Sequence, residues 1–118
     1  MKISDAITND QFMPALDFDL SGDLTVTFYD RRGDPNNILY NEYMARIAST
    51  GSPLQANTLV STFQSDPTKY TGHYPGFIGD YHDIWDQTIS NIDNYFSAWV
   101  GIPTTTGIGD IYMTTIVP

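Results

Sequence analysis

Residues 79–83, GDYHD, form the densest group of side chains able to do chemistry. Asp80, Tyr81, His82 and Asp83 follow Gly79, which permits a close backbone approach. Side chains alternate along a strand, so Asp80 and His82 would share one face. Asp80 could then serve as a general acid tuned by His82, or the carboxylates could bind calcium. The structural alternative is that Asp80 caps loop amides and Tyr81 fills a seam between units.

Glu42 is the only glutamate of the chain and has a tyrosine on either side, Tyr40 and Tyr43. On a strand Tyr40 and Glu42 would share a face, and Tyr43 would point the other way. A Tyr nucleophile beside a Glu base is possible catalytic chemistry. The same spacing is also an ordinary surface pattern of an outer strand.

Arg31 and Arg32 are adjacent where a predicted strand meets a loop. A guanidinium pairs with a carboxylate through two parallel hydrogen bonds, so these residues are candidates to bind an acidic ligand. The alternative is a structural salt bridge with Asp30, Asp34 or Asp80. The pattern favours the structural role.

The turn at residues 17–23 contains Asp17, Asp19 and Asp23, the candidate ligands for Ca²⁺. It lacks the spacing and the bidentate glutamate of an EF-hand loop. Asp and Gly also form tight turns without a metal, so we expect no obligatory cofactor. Trp85, predicted in a loop, is a candidate for stacking on a sugar ring, whereas Trp99 is expected in the core.

The composition bounds the classes of protein that remain. The chain has 118 residues, a formal net charge of −9 and no cysteine. The charge argues against nucleic acid as a partner, and the absence of cysteine excludes disulfides and thiolate sites. No segment has the apolar character of a signal peptide or a membrane span. We expect an extracellular or periplasmic protein with no membrane partner, whose export signal is not in this chain.

Apolar alternation and turn residues predict an all-β fold without significant helix. Residues 12–32 recur in weaker form at 77–101, which indicates repeated units. Eight strands make two four-stranded antiparallel units: residues 1–63 as an outer strand plus the first unit, 64–76 as an insertion loop, and 77–118 as the second unit. A β-sandwich is the alternative. The predicted strands are residues 2–6, 12–18, 24–29, 38–47, 57–63, 77–84, 95–100 and 108–117, with a loop at 85–94.

Six short motifs resemble the C-terminal blades of the bacterial sialidase-like β-propellers, the neuraminidase-repeat superfamily. They are QFMPA at 11–15, SGD at 21–23, FYDRR at 28–32, FIGDY at 77–81, AW at 98–99 and GDIY at 109–112. The resemblance covers nearly the whole chain and implies about two propeller blades. The chain departs from the family in lacking a clean Asp box and in providing two blades where a sialidase ring has six.

The resemblance implies a carbohydrate ligand, sialylated ones included, with Arg31, Arg32, Tyr81 and Trp85 as binding residues. One glutamate and one arginine pair are too few for sialidase chemistry, so we expect no activity from this chain alone. We expect a glycan-recognition or other non-catalytic module. The alternatives are a structural module that completes a propeller as a homo-oligomer or within a longer chain, and a share of an exo-sialidase active site with Asp80, Glu42 and Tyr40 as catalytic candidates.

Overall fold

The first half of the chain forms a four-stranded antiparallel sheet in sequence order: β1 (Gln11–Phe18), β2 (Leu24–Asp30), β3 (Asn41–Ile47) and β4 (Thr58–Leu59). The structure is a computed structural model that describes residues 1–71, 76–79, 82–89 and 92–117. Along β2, Val26 and Phe28 lie on one face and Thr25, Thr27 and Tyr29 on the other. All five are buried, so β2 is covered on both faces.

The second half forms a three-stranded antiparallel sheet in the order β5 (Asp83–Ile89), β6 (Ile92–Gly101) and β7 (Asp110–Ile116). Asp83, Ala98 and Met113 lie opposite one another across its three strands. One face packs on the first sheet and the other faces outward. The prediction of an all-β fold is confirmed, and the only helical element among the described residues is a single 3-10 turn (Pro67–Lys69).

The two sheets stack face to face and approach most closely at their first strands, β1 and β5. There the backbone N–H of Asp86 donates to Asp17 Oδ2 at 2.9 Å. Ala15, Met44 and Ile84 pack between the sheets in a cluster with the fully buried Tyr95. The stack therefore has its own apolar core, beginning where β1 meets β5.

The segment that follows β4 fills the space between the outer strands of the two sheets. The ring of Phe63 meets that of Tyr112 on β7 edge to face, with centroids 4.7 Å apart. Ser65 bridges Tyr40 on one side and Pro103 on the other. The start of the predicted insertion loop is thus buried, whereas Thr68, Lys69 and Thr71 are exposed.

The N-terminal segment covers the outward face of the first sheet over β2 and β3. Ile3 packs on Val26, Phe28 and Ala45. The prediction of a strand at residues 2–6 is wrong, because this segment lies over the face of the sheet and pairs with no strand edge. It is held instead by side chains, including reciprocal bonds between Asp5 and Asn57 at 2.8 and 2.9 Å.

Three further strand predictions need correction. The strand at 57–63 shrinks to β4, and residues 77–79 carry no strand. The loop predicted at 85–94 is instead occupied by most of β5 and the start of β6. Asp86 and Asp93 favour a loop at 85–94, since Asp is depleted in strands and common in turns. In the described part of the chain the second sheet has three strands, not four.

No helix in the described part of the chain has the length and apolarity needed to cross a membrane.

Gly101, at the end of β6, is expected to tolerate no side chain. A Cβ there would lie 2.7 Å from ring atoms of both Phe63 and Tyr112, which are packed against each other. Gly101→Ala should therefore lower the free energy of unfolding by about 1–3 kcal/mol, measured by urea denaturation. Gly33→Ala is the control, since its Cβ would meet only Gln64 Nε2 at 3.5 Å. Equal stability of the two variants would contradict this packing.

Candidate functional site

Glu42 is the centre of a polar cluster buried between the sheets. Its side chain projects from β3 toward the second sheet and is 0% exposed. Its Oε1 lies 2.8 Å from His82 Nε2 and accepts a hydrogen bond from Ser97 Oγ on β6. Its other oxygen, Oε2, is buried without a protein partner. One carboxyl group therefore connects β3 to both the start of β5 and the middle of β6.

His82 is held in place by groups from the first sheet. Its Nδ1 lies 2.6 Å from the carbonyl oxygen of Met13, and its ring stacks on Tyr29 with centroids 5.0 Å apart. Met13 has a φ of 50° within the β-bulge of β1, which breaks the regular register there. Thr27 Oγ1 lies 3.0 Å from Nε2.

The hydrogen-bonding pattern fixes the position of one proton on His82. A carbonyl only accepts, so His82 Nδ1 carries a hydrogen toward Met13. His82 Nε2 lies 2.8 Å from Glu42 Oε1 and 3.0 Å from Thr27 Oγ1. Ser97 donates to Glu42, the arrangement of a hydroxyl beside a base. Ser97 and Glu42 are both fully buried, and their hydrogen bond joins the two sheets.

Tyr40 and Glu42 both point into the buried space between the sheets, but they bond to different groups. The hydroxyl of Tyr40 donates to the carbonyl of Val100 at 2.9 Å, and burial raises the pKa of Tyr40 to about 12. The N–H of the same Val100 donates to the hydroxyl of Tyr29 at 2.9 Å. The two tyrosines therefore satisfy both backbone groups of one residue on β6. The surface alternative for Glu42 is wrong, because that residue is fully buried.

Arg31 and Arg32 are both engaged in the first half of the chain. Arg32 bonds Asp5 at 2.6 Å and Asp30 at 2.8 Å and lies over the ring of Tyr43 at 4.1 Å. Of the predicted structural partners, Asp30 pairs directly with Arg32, and Asp80 lies outside the described residues. Arg32 thus ties the N-terminal segment to the end of β2.

Arg31 is the more accessible arginine of the two. It pairs with the exposed Asp10 at 3.4 Å and lines an open depression of about 280 Å³ with Ile38 and Ile78. Asp10 already occupies one side of the guanidinium, and Asp34 adds a second negative charge nearby. Because these two carboxylates offset the charge of Arg31, the site gives an anionic ligand little net attraction.

The three aspartates proposed for calcium serve separate backbone groups. Asp19 Oδ1 accepts the N–H groups of Ser21 and Asp23, and its Oδ2 lies 3.4 Å from Arg46. Asp17 accepts from Phe18 and Asp86, and Asp23 accepts from Ser49. Within the described residues no group of three or more acidic or histidine side chains is placed to hold a metal.

The outward face of the second sheet is open, and its middle is apolar, with polar side chains such as Asp83 and Gln87 beside it. Trp85 is 56% exposed, Ile111 75% and Met113 71%, and the half-buried Phe96 and Val100 lie between them on β6. A depression of about 340 Å³ runs over Ala98, Val100 and Ile111. Trp85 lies on β5 rather than in the predicted loop, whereas Trp99 is buried in the core as expected. We call the outward side chains of β5, β6 and β7 the open face.

Two of the residues singled out from the sequence, Asp80 and Tyr81, lie outside the described residues. His82, their neighbour, proves to be central. Ser97, Thr27 and the carbonyl of Met13 were missed, because sheet stacking brings them together from distant positions and no local spacing marks them.

Comparison with known proteins finds no matching family model, no similar curated protein and no similar solved structure.

Removing either partner of the Glu42–His82 pair should be strongly destabilising. Glu42→Leu and His82→Leu each leave a buried polar group unpaired, at a cost of about 3–5 kcal/mol in the free energy of unfolding. The double variant should cost less than the sum by about 0.5–3 kcal/mol, because neither orphan then remains. Asp10→Asn, at the exposed Arg31–Asp10 pair, is the control and should cost less than about 1 kcal/mol. Strict additivity in urea denaturation would refute the coupling.

Asp86→Asn should stabilise the protein at neutral pH. Burial, with the charges of Asp93, Asp19 and Asp17, raises the pKa of Asp86, and its Oδ1 has no partner. A carboxyl group with a raised folded pKa opposes folding while it is ionised, and that effect disappears as pH falls below its unfolded value. The gain in melting temperature over wild type should therefore be present at pH 7 and shrink as the pH approaches 3.8, the ordinary value.

Asp110→Asn is the matched control, because the Asp110 side chain is exposed and accepts a hydrogen bond from the N–H of the next residue, Ile111. A gain of the same size in both variants, or a gain in Asp86→Asn that does not depend on pH, would show that general charge reduction is responsible.

Proposed function

We propose that this chain is a non-catalytic structural module of β-propeller type, which works by stacking its sheets against a further β-sheet. The observation that carries the proposal is the open face, which has exposed apolar side chains on a sheet whose other face packs on the first sheet. Soluble proteins rarely leave a large contiguous apolar surface exposed unless it contacts a partner.

The way the two sheets stack supports a propeller arrangement. Each sheet runs antiparallel in sequence order, and the sheets lie closest at β1 and β5, their first strands. Propeller blades are arranged radially in this manner, with one end of each sheet near a central channel. The resemblance of the six motifs to the neuraminidase-repeat blades points the same way.

Both ends of the stack have apolar side chains available to a neighbouring sheet. At the second sheet these are Trp85, Ile111 and Met113. At the first sheet the N-terminal segment covers β2 and β3, and Leu16 and Phe18 of β1 stay exposed. A unit that stacks at both ends can be extended into a larger ring.

Glycan recognition is the second candidate, and Trp85 is the observation that favours it. Its ring lies 5.8 Å from that of Phe96 on the open face, with Asp83 and Gln87 on the same side of β5. An exposed indole flanked by carboxylate and amide groups can stack on a pyranose and bond its hydroxyls. A sialylated ligand would require a cation as well, and Arg31 is on the other sheet.

Dye binding and solution mass test the structural proposal. We expect wild type to bind the apolar dye ANS or to gain mass with concentration in light scattering. The double variant Ile111→Lys/Met113→Lys should lower either signal at unchanged melting temperature. Ile7→Lys, at a 93% exposed position in the N-terminal segment, should leave both signals intact.

Two results would count against the module. A monomer that binds no dye would mean that the open face needs no cover. Binding of a glycan that Trp85→Ala abolishes and Ile111→Lys/Met113→Lys preserves would favour the second candidate. Turnover of a fluorogenic sialoside by the chain alone would contradict the non-catalytic assignment altogether.

A further inference from the structure

We propose that the free edge of β7 binds a basic, extended segment of a separate polypeptide, which adds to the second sheet as a fourth strand. This inference rests on the proposed stacking module and names the partner and the way it binds. It is carried by two observations: the state of the four sheet edges and the distribution of charge along the chain.

Three of the four sheet edges carry features that prevent strand pairing. β1 contains Pro14 and a bulge with Met13 at positive φ. β4 is only two residues long. The edge of β5 faces β1 and carries Asp83 and Asp86. Short strands, bulges, proline and charge are the means by which natural sheets block edge-to-edge association.

The edge of β7 has no bulge and no proline, and its one charged residue, Asp110, is the first residue of the strand. It is seven residues long, and residues 111–117 contain no charged residue, proline or glycine. No strand in the described part of the chain pairs with it beyond β6. In the first sheet the equivalent strand, β3, receives β4 on its outer side. An edge that is long, β-branched and unprotected is suited to strand addition, in which backbone hydrogen bonds supply the affinity.

The distribution of charge indicates a basic partner. Residues 76–118 contain five aspartates and no lysine or arginine. The three arginines, all in the first sheet or just after β2, are paired with Asp10, with Asp5 and Asp30, and with Asp19. A second copy would therefore bring more negative charge without free arginines to offset it, whereas a lysine-rich strand is complementary.

The pleat of β7 sets the pattern of the segment. Ile111 and Met113 point to the open face, and Tyr112 and Thr114 point to the opposite side, where Asp110 also lies. A strand with apolar residues on one face and lysines on the other would extend the open face and place its cations on the side of Asp110. Alternating valine and lysine satisfies both requirements.

A peptide titration tests the proposal on the intact chain. The probe is a fluorescently labelled peptide of alternating valine and lysine, matched to the seven residues of β7. Its anisotropy should rise saturably, and hydrogen exchange at β7 amides should slow in the complex. The valine–glutamate peptide should bind at least about tenfold more weakly. A lysine peptide N-methylated at alternate residues keeps its charge but loses one row of donors, so it should not bind.

Surface variants of the protein complete the test. Met113→Lys places a cation beside the β7 edge and should weaken the lysine peptide by at least about tenfold, whereas Ile7→Lys should leave its affinity unchanged. Both positions are exposed, so folding is not at issue, and the melting temperature verifies this.

Each opposing result has a distinct meaning. If the N-methylated peptide bound as tightly as the unmethylated lysine peptide, binding would be explained by attraction between opposite charges, and strand addition would be overturned. Equal binding of the glutamate peptide would overturn the basic partner. Protection of β7 in a self-assembled oligomer without peptide would make a second copy the occupant. Absence of all peptide binding, with dye binding at the open face retained, would refute this inference and leave the stacking module standing.

Discussion

The burial of Glu42 is the constraint on which the rest of the structure depends. A carboxyl group removed from water is tolerated only when other polar groups replace the water. His82 and Ser97 do so from the second sheet, and they can reach Glu42 only if the two sheets stack in one register. A shift of either sheet by one residue would turn its partner to the other face. The cluster thus selects one arrangement of two sheets that apolar packing alone would leave less specified.

The same requirement accounts for irregular backbone elsewhere. His82 needs an acceptor for its second nitrogen, and the bulge of β1, with Met13 at positive φ, supplies the carbonyl. Two tyrosines add further hydrogen bonds between the sheets, since Tyr29 and Tyr40 bond the N–H and the carbonyl of Val100. Buried polar networks specify a unique core to the extent that their members are satisfied, and in this network Glu42 Oε2 lacks a protein partner. Here the polar bonds run from β1 through β3 to β6, so features that look local in the sequence serve contacts between sheets.

The sequence predicts the individual strands better than the contacts between them. The alternation of Val26 and Phe28 with Thr25 and Thr27 identifies β2 and its faces, because a period of two is a local property. The segment at residues 2–6 has the same local character but lies on a sheet face, and whether a segment pairs or packs is decided by the rest of the fold. Most of β5 falls in the predicted loop at 85–94, because Asp86 is typical of turns and its neighbours Asp17 and Arg46 lie far away in sequence. Glu42 stands out in the sequence as the only glutamate, whereas Ser97 and Thr27 carry no local signal of their role.

The two sheets differ in how much of their outward faces is covered and in where their cations lie. In the first sheet arginines neutralise the acidic turns and join the N-terminal segment to the strands, so its outward face is largely covered. The second sheet has aspartates but no cation of its own, and its outward face is apolar. Apolar surface favours association without choosing a partner, whereas an excess of negative charge discriminates among partners. The open face and the negative charge of its strands therefore act together. The apolar surface makes association with a partner favourable, and the negative charge restricts which polypeptide can be that partner.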